Sequence, residues 1–220
     1  MRYPYITYCD KVRIHPIVKN LSGEPFILDL SDDSPLHQEF DLKDQKAVQR
    51  FLEKEMRGRY TWGLAPYLEK RGRVLSHYPQ MMEEQRFYHL GLDVIVQKDT
   101  KLHAPLDAVV IQAEYEPGEG NFGGHVLLGH DSDHFDSFYS LYAHLNKEQL
   151  PPKGTFLSAG DAFARAGDFN DNGNWFYHTH IQVITQKGVD LGYASKGYCS
   201  AMDLDAMDSL CPSPLSLFCV

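Results

Sequence analysis

Cysteine is scarce. The 220 residues carry four, Cys9, Cys199, Cys211 and Cys219, and no two stand in C-x-x-C spacing. They read as free thiols in a reducing compartment rather than as a disulfide framework. Three lie near the C-terminus, away from the histidine motifs described below, which argues against a cysteine nucleophile. A secretory leader is also missing from view: residues 1–10 hold no apolar core of signal-peptide length. No hydrophobic run approaches a membrane span, so a cytoplasmic protein with no membrane partner is expected. Positive charge is in deficit, with 21 Lys and Arg against 30 Asp and Glu and a net charge of −9. That balance argues against nucleic acid and against adhesion to anionic surfaces. The glycine-rich stretch 117–124 lacks the Gly-Lys-Ser/Thr that would open a phosphate-binding helix, and a hairpin turn is expected there. Residues 168–174, rich in Asp, Asn and Gly, miss the glycine position and closing Glu of an EF-hand and read as a solvated loop rimming a site. There is no H-E-x-x-H, hence no helix-borne glutamate base.

What the chain does have is histidine, eleven in all. His178-Thr179-His180 precedes the β-branched pair Val183-Ile184 and reads as a strand, on which residues two apart share a face. Two imidazoles so placed can share a metal ion. Alternatively one binds the metal while the other handles a proton, or both are strand histidines without a metal. His89-Leu90-Gly91-Leu92-Asp93, followed by Val94-Ile95-Val96, also reads as a strand. His89 and Asp93 then lie on one face, and Gly91 between them leaves room for an ion. Adding one histidine of H-x-H gives three protein ligands and an open fourth position, the layout of a catalytic zinc site. Tyr142-Ala143-His144-Leu145 ends an aromatic strand and supplies a further histidine.

H-x-G-x-D, a Gly-rich hairpin, Y-A-H-L and H-x-H, in that order, resemble the lysostaphin/LytM-type zinc metalloendopeptidases over residues 87–184. Residues 101–110, 123–130 and the Lys153-Gly154 and Ser158–Asp161 pieces are similar to that family's intervening strands. The resemblance implies an antiparallel β-sheet core of lysostaphin-like type. It implies zinc held by His89, Asp93 and His180, with His144 and His178 as the catalytic histidines. It implies hydrolysis of a peptide bond in peptidoglycan, or in a peptidoglycan-derived peptide, by a zinc-activated water. The alternative is a latent or non-peptidase metal-binding regulatory module acting inside the cell. His130 stands where the family often has histidine, for packing or for a hydrogen bond behind the site.

Around that core, 43% hydrophobic and 23% charged residues are ordinary for a globular protein. The expected organisation is a strand/helix extension over 1–85 packed on the core, a metallopeptidase domain over 86–189, and a docking tail over 190–220 with a helix-like patch at 201–210. The fold class is mainly β with helical and loop additions at both ends. In the extension, residues 26–30 read as a strand. Residues 44–57 read as a helix, with Val48, Phe51, Leu52 and Met56 near helical spacing. Residues 58–71 are an aromatic connector, expected to be a packed loop rather than a lining of the cleft.

Overall fold

Alternating apolar and polar residues between 88 and 185 dictate strands, and strands form there. The structure is a computed structural model that describes residues 12–218. Its strands are β1 (Phe26–Ile27), β2 (Gly63–Ala65), β3 (Tyr88–His89), β4 (Leu92–Ile95), β5 (Lys101–His103), β6 (Ala108–Glu116), β7 (Gly123–Ser132), β8 (Phe135–Leu145), β9 (Phe156–Leu157), β10 (Ala162–Arg165), β11 (His178–Thr185) and β12 (Tyr198–Cys199). Eight of them make one sheet in the order β1-β2-β4-β11-β8-β7-β6-β9. Every neighbouring pair in it is antiparallel except β1 with β2. The fold is therefore mainly β around a large antiparallel sheet, as the sequence implied. The glycine-rich stretch forms the β6–β7 hairpin connection.

Both faces of the central strands are covered. Leu92, Val94, Val126, Leu128, Tyr142 and Ile181 share one apolar cluster. Leu127, Leu141, Ala143 and Ile184 share another with Leu90, Cys199, Met207 and Leu210 from outside the sheet. Strand alternation divides β7, β8 and β11 between the two clusters. A polar group on β4 or β11 is consequently buried and must find its partners inside the protein.

The flanking segments position the site. The helix Gln45–Met56 starts where expected, because the Asp44 carboxylate accepts from Lys46 N and Ala47 N, both at 3.0 Å. Its Val48 and Leu52 pack with Leu28, Leu30 and Phe176. Its Gln49 side chain accepts from Tyr177 N at 2.8 Å, next to the start of β11. The strand expected over 26–30 is only Phe26–Ile27. Leu28 N still bonds Leu64 O, but Asp29 then turns back, its carboxylate accepting from Ser31 N and its carbonyl from Ser34 Oγ. Residues 201–210 form a 3-10 helix, Ala201–Ala206, that runs into one α-helical turn, Met207–Leu210. Cys9 and Cys219 lie outside the described residues. Among the described residues no helix is long and apolar enough to cross a membrane.

Candidate metal centre

Register brings the motifs together. In the β4–β11 ladder His180 stands opposite Asp93, and in the β11–β8 ladder it stands opposite Ala143, one residue before His144. His178 and His180 share a face of β11, as period two requires. His89 arrives differently from expectation. The H-x-G-x-D segment is not one strand: β3 pairs with β12, β4 pairs with β11 and β2, and the chain bends at Leu90-Gly91 between them. Leu90 N bonds Gly197 O, and the His180 ring lies over Gly91, so that any Cβ there would collide with it. The glycine makes room for the His180 ring.

Three donor atoms converge. His89 Nε2 is 3.0 Å from His180 Nδ1 and 3.1 Å from Asp93 Oδ1, and His180 Nδ1 is 3.2 Å from Asp93 Oδ1. The remaining ring nitrogens fix the tautomers. His89 Nδ1–H donates to Pro66 O at 2.9 Å, and a carbonyl can only accept. His180 Nε2–H donates to Gln182 Oε1 at 3.1 Å, the Gln182 amide nitrogen being turned to Tyr193 O. Both facing nitrogens and the carboxylate oxygen therefore present lone pairs to one another. Three lone pairs at 3 Å repel unless a cation lies among them. Tetrahedral zinc with bonds of about 2.0–2.2 Å holds its ligand atoms roughly 3.3–3.6 Å apart. The observed triangle is only a few tenths of an ångström tighter. The residues fit zinc.

His178 and His144 complete the ring of imidazoles, their centroids 4.5 Å apart. His178 Nε2 is 3.6 Å from Asp93 Oδ1. Its Nδ1–H donates to Phe176 O at 2.8 Å, and His144 Nδ1–H donates to Asn172 O at 2.9 Å. Each therefore keeps Nε2 as a lone pair. His144, next to last in β8, has a left-handed backbone, φ 66°, which Phe122 O and Gly167 N hold by hydrogen bonds. Burial pulls His89 and His178 down to about 4 and His144 well below the ordinary imidazole range. All three are neutral near pH 7. Burial alone would raise Asp93, but His89 and Arg71 outweigh it and hold the carboxyl well below its usual range.

The sequence reading missed Arg71. It sits at the end of the connector expected to be a packed loop, yet its Nη1 donates to Asp93 Oδ2 at 2.7 Å and its Nε to Glu69 Oε2 at 2.7 Å. Tyr198 OH lies 3.3 Å from the same Nη1. β2 explains the placement: Ala65 pairs with Asp93, and the chain then runs beside β3, with His89 N bonded to Glu69 O and Arg71 N to Phe87 O. Residues 66–71 thus hold two of the three donor residues from behind. The Glu69-Lys70-Arg71 triplet was visible, but nothing in its spacing tied it to a residue twenty-two positions later.

Other expectations place as follows. His130 is remote from the centre, stacked on Phe138 and bonded to Ser140 Oγ and Asp107 O; its role is packing. The loop 168–174 does rim the site, but Asn172 is fully buried, its side chain bonded to Trp175 O and Trp175 N. Cys211 is nearer the centre than expected: its Sγ accepts from the Gln182 amide that orients His180. Burial pushes the Cys199 and Cys211 thiols up to about 12, so neither is a nucleophile.

Residues 87–191 match the profile of peptidase family M23. A zinc-containing peptidase from Vibrio cholerae is similar at 25% identity, over 46% of this chain and 28% of its own, with a TM-score of 0.38. An M23 peptidase structure from Pseudomonas aeruginosa is similar at 26% identity, over 43% and 37%, with a TM-score of 0.35. This chain therefore spans well under half the length of either. The catalytic domain of lysostaphin from Staphylococcus simulans is similar at 18% identity, over 54% and 79%, with a TM-score of 0.40. No curated protein gives a significant match.

Proposed function

From the match of residues 87–191 to peptidase family M23 we propose that this chain is a metallopeptidase that cleaves a peptide bond in peptidoglycan or a peptidoglycan-derived peptide, with zinc held by His89, Asp93 and His180. The supporting observation is the triangle of three lone-pair atoms 3.0–3.2 Å apart, with both imidazole tautomers fixed from behind. Zinc held there would lower the pKa of a bound water and would polarise the scissile carbonyl.

The chain's own residues handle the protons. His144 and His178 each present Nε2 without a proton, because Nδ1–H is spent on a backbone carbonyl. Both are neutral, so either can accept the proton of the attacking water. Once protonated at Nε2, that ring can hand the proton on to the leaving amine, while its neighbour, its Nε2 still a lone pair, can accept a hydrogen bond but not give one. The Asn172 and Phe176 carbonyls keep the two rings oriented through the cycle. Arg71 holds Asp93 Oδ2, so the carboxylate turns a single oxygen to the donor triangle.

The test is metal content of the purified protein beside its His180→Ala variant, with turnover on muropeptides and on oligoglycine. One zinc per chain, lost in the variant, with cleavage by the wild type alone, is the expected result. Zinc with no cleavage of either substrate would refute the substrate assignment. Absence of zinc from the wild type would refute the site.

A further inference from the structure

Two arginines line the pocket over the donor triangle. Arg71 is 3% exposed and Arg86 is 6% exposed, and both face one small cavity of ≈ 70 Å³ together with Asp93, His144, His178 and His180. Among the described residues three buried side-chain polar atoms have no hydrogen-bond partner: Arg71 Nη2, Arg86 Nε and Tyr142 OH. Two of the three belong to these guanidinium groups. Arg86 Nε does have Glu84 Oε2 at 2.8 Å, but the pair is too poorly aligned for a hydrogen bond, and Glu84 is 44% exposed. A buried cationic donor without an acceptor is costly, and a guanidinium fork matches carboxylate and phosphate geometry, of which a peptide substrate supplies the carboxylate.

The carboxylates already in the pocket are engaged. Asp93 Oδ2 accepts from Arg71, Asp93 Oδ1 faces the two ligand histidines, and Glu116 Oε2 accepts from Phe122 N at 3.3 Å. With a divalent ion in the triangle, the lining side chains sum to a net positive pocket. The walls also limit what enters. Tyr78 packs behind two lining residues, 5.8 Å from the Trp175 ring and in the space in which a side chain at Gly120 would lie. Met81 from the same segment and Gly197-Tyr198 from the tail line the pocket too. All four site histidines are at most 6% exposed. Among the described residues, these walls crowd the donor triangle, which favours the end of a short peptide over a continuous strand of polymer.

We propose that this pocket binds the free C-terminal carboxylate of a short peptide through Arg86 and Arg71, so that the enzyme trims peptide ends instead of cutting within a polymer. This deepens the peptidase reading above and rests on it. Arg86 is the residue to vary, because Arg71 also holds Asp93.

The experiment measures binding of triglycine and triglycinamide by calorimetry, with zinc-loaded protein and again after chelation, alongside hydrolysis of both. Triglycine should bind about ten- to a hundred-fold more tightly in either metal state. Arg86→Met should lose most of that advantage and keep its zinc, and Arg86→Lys should retain part of it. Equal binding of acid and amide by the wild type overturns the proposal whether or not any variant folds, as does failure of both to bind. A neutral-ended peptide with an internal glutamate that binds as well as triglycine also overturns it, moving the carboxylate to a side chain. Discrimination without hydrolysis would uphold the carboxylate site and sink the peptidase assignment of this centre. Hydrolysis of both at equal rates would do the reverse.

Discussion

Arg71 Nη1 stands 2.7 Å from Asp93 Oδ2, on the carboxylate oxygen that does not face His89 and His180. The contact leaves Asp93 one oxygen for a metal and fixes the direction in which it points. Glu69 holds Arg71 in turn, so the three charges form a buried chain behind the centre. Removing a residue that orients a ligand typically costs 10–100-fold in metal affinity. Arg71→Met should therefore weaken zinc binding by about that factor, with Arg71→Lys recovering part of it. Loss of the guanidinium also leaves two buried carboxylates unpaired, so global stability should fall by roughly 3–5 kcal/mol. Competition with a chromophoric chelator on the folded protein checks the first effect, and urea unfolding the second. An unchanged zinc affinity would reduce Arg71 to a structural ion pair.

His144 and His178 differ from the proposed ligands His89, Asp93 and His180 in a way that activity and metal content can separate. Neither contributes an atom to the donor triangle, and both carry a free Nε2. His178→Ala and His144→Ala should each keep zinc and lose about 10²–10⁴-fold in kcat, the usual range for a lost proton-transfer group. KM should change little by comparison. Zinc loss in His178→Ala would move that residue into the ligand set.

The legible part of this site was the part written in strand periodicity. H-x-H was readable because residues two apart must share a face of β11, and Y-A-H-L because it closes an aromatic strand. The helix Gln45–Met56 was readable because Asp44 caps a helical apolar stripe. What escaped was settled by tertiary contact. Arg71 reaches Asp93 only because β2 adds itself to β4, a pairing of three residues with no distinctive pattern. The bend at Leu90-Gly91 depends on Gly197 and on the His180 ring, both about a hundred residues away. Cys211 stands behind Gln182 because the tail folds back against β11. Asn172 sits in a stretch whose composition suggests solvent, yet its side chain is consumed in holding Trp175. Local sequence carries none of these relationships, since each needs the fold to exist first.

Gly91 offers a sharper test of the close approach. A methyl group there would run into the His180 ring. The neighbour is a ring pinned through Gln182, so it cannot yield without giving up its orientation. Gly91→Ala should shift His180 out of the donor triangle and abolish stable zinc binding. An exposed glycine such as Gly154, with nothing within 4 Å of an added Cβ, is the control for the substitution itself; its φ of +83° makes alanine strained but leaves the centre untouched. Zinc retained at wild-type affinity in Gly91→Ala would show that the ring can relax.

His130 predicts a pH dependence that is independent of the metal centre. Its ring is buried, stacked on Phe138 at 4.8 Å, with Nδ1–H donating to Asp107 O at 3.1 Å. Burial lowers its pKa from an ordinary 6.5 to about 4, against the smaller opposing pull of the Asp107 carbonyl. The unfolded chain therefore binds a proton between pH 6.5 and 4 that the folded chain refuses. The stabilisation is complete above pH 6.5 and is lost as pH falls through about 4, by roughly 3 kcal/mol in the limit. His130→Asn keeps a donor for Asp107 O but cannot titrate. It should be less stable than wild type at pH 7, and the gap should narrow steadily on acidification, because the other buried histidines contribute equally to both proteins and cancel in the difference. Urea titrations at intervals from pH 7 to 4 measure that gap directly. A gap that stays constant across the range would mean that His130 takes up its proton in the folded protein as readily as in the unfolded chain.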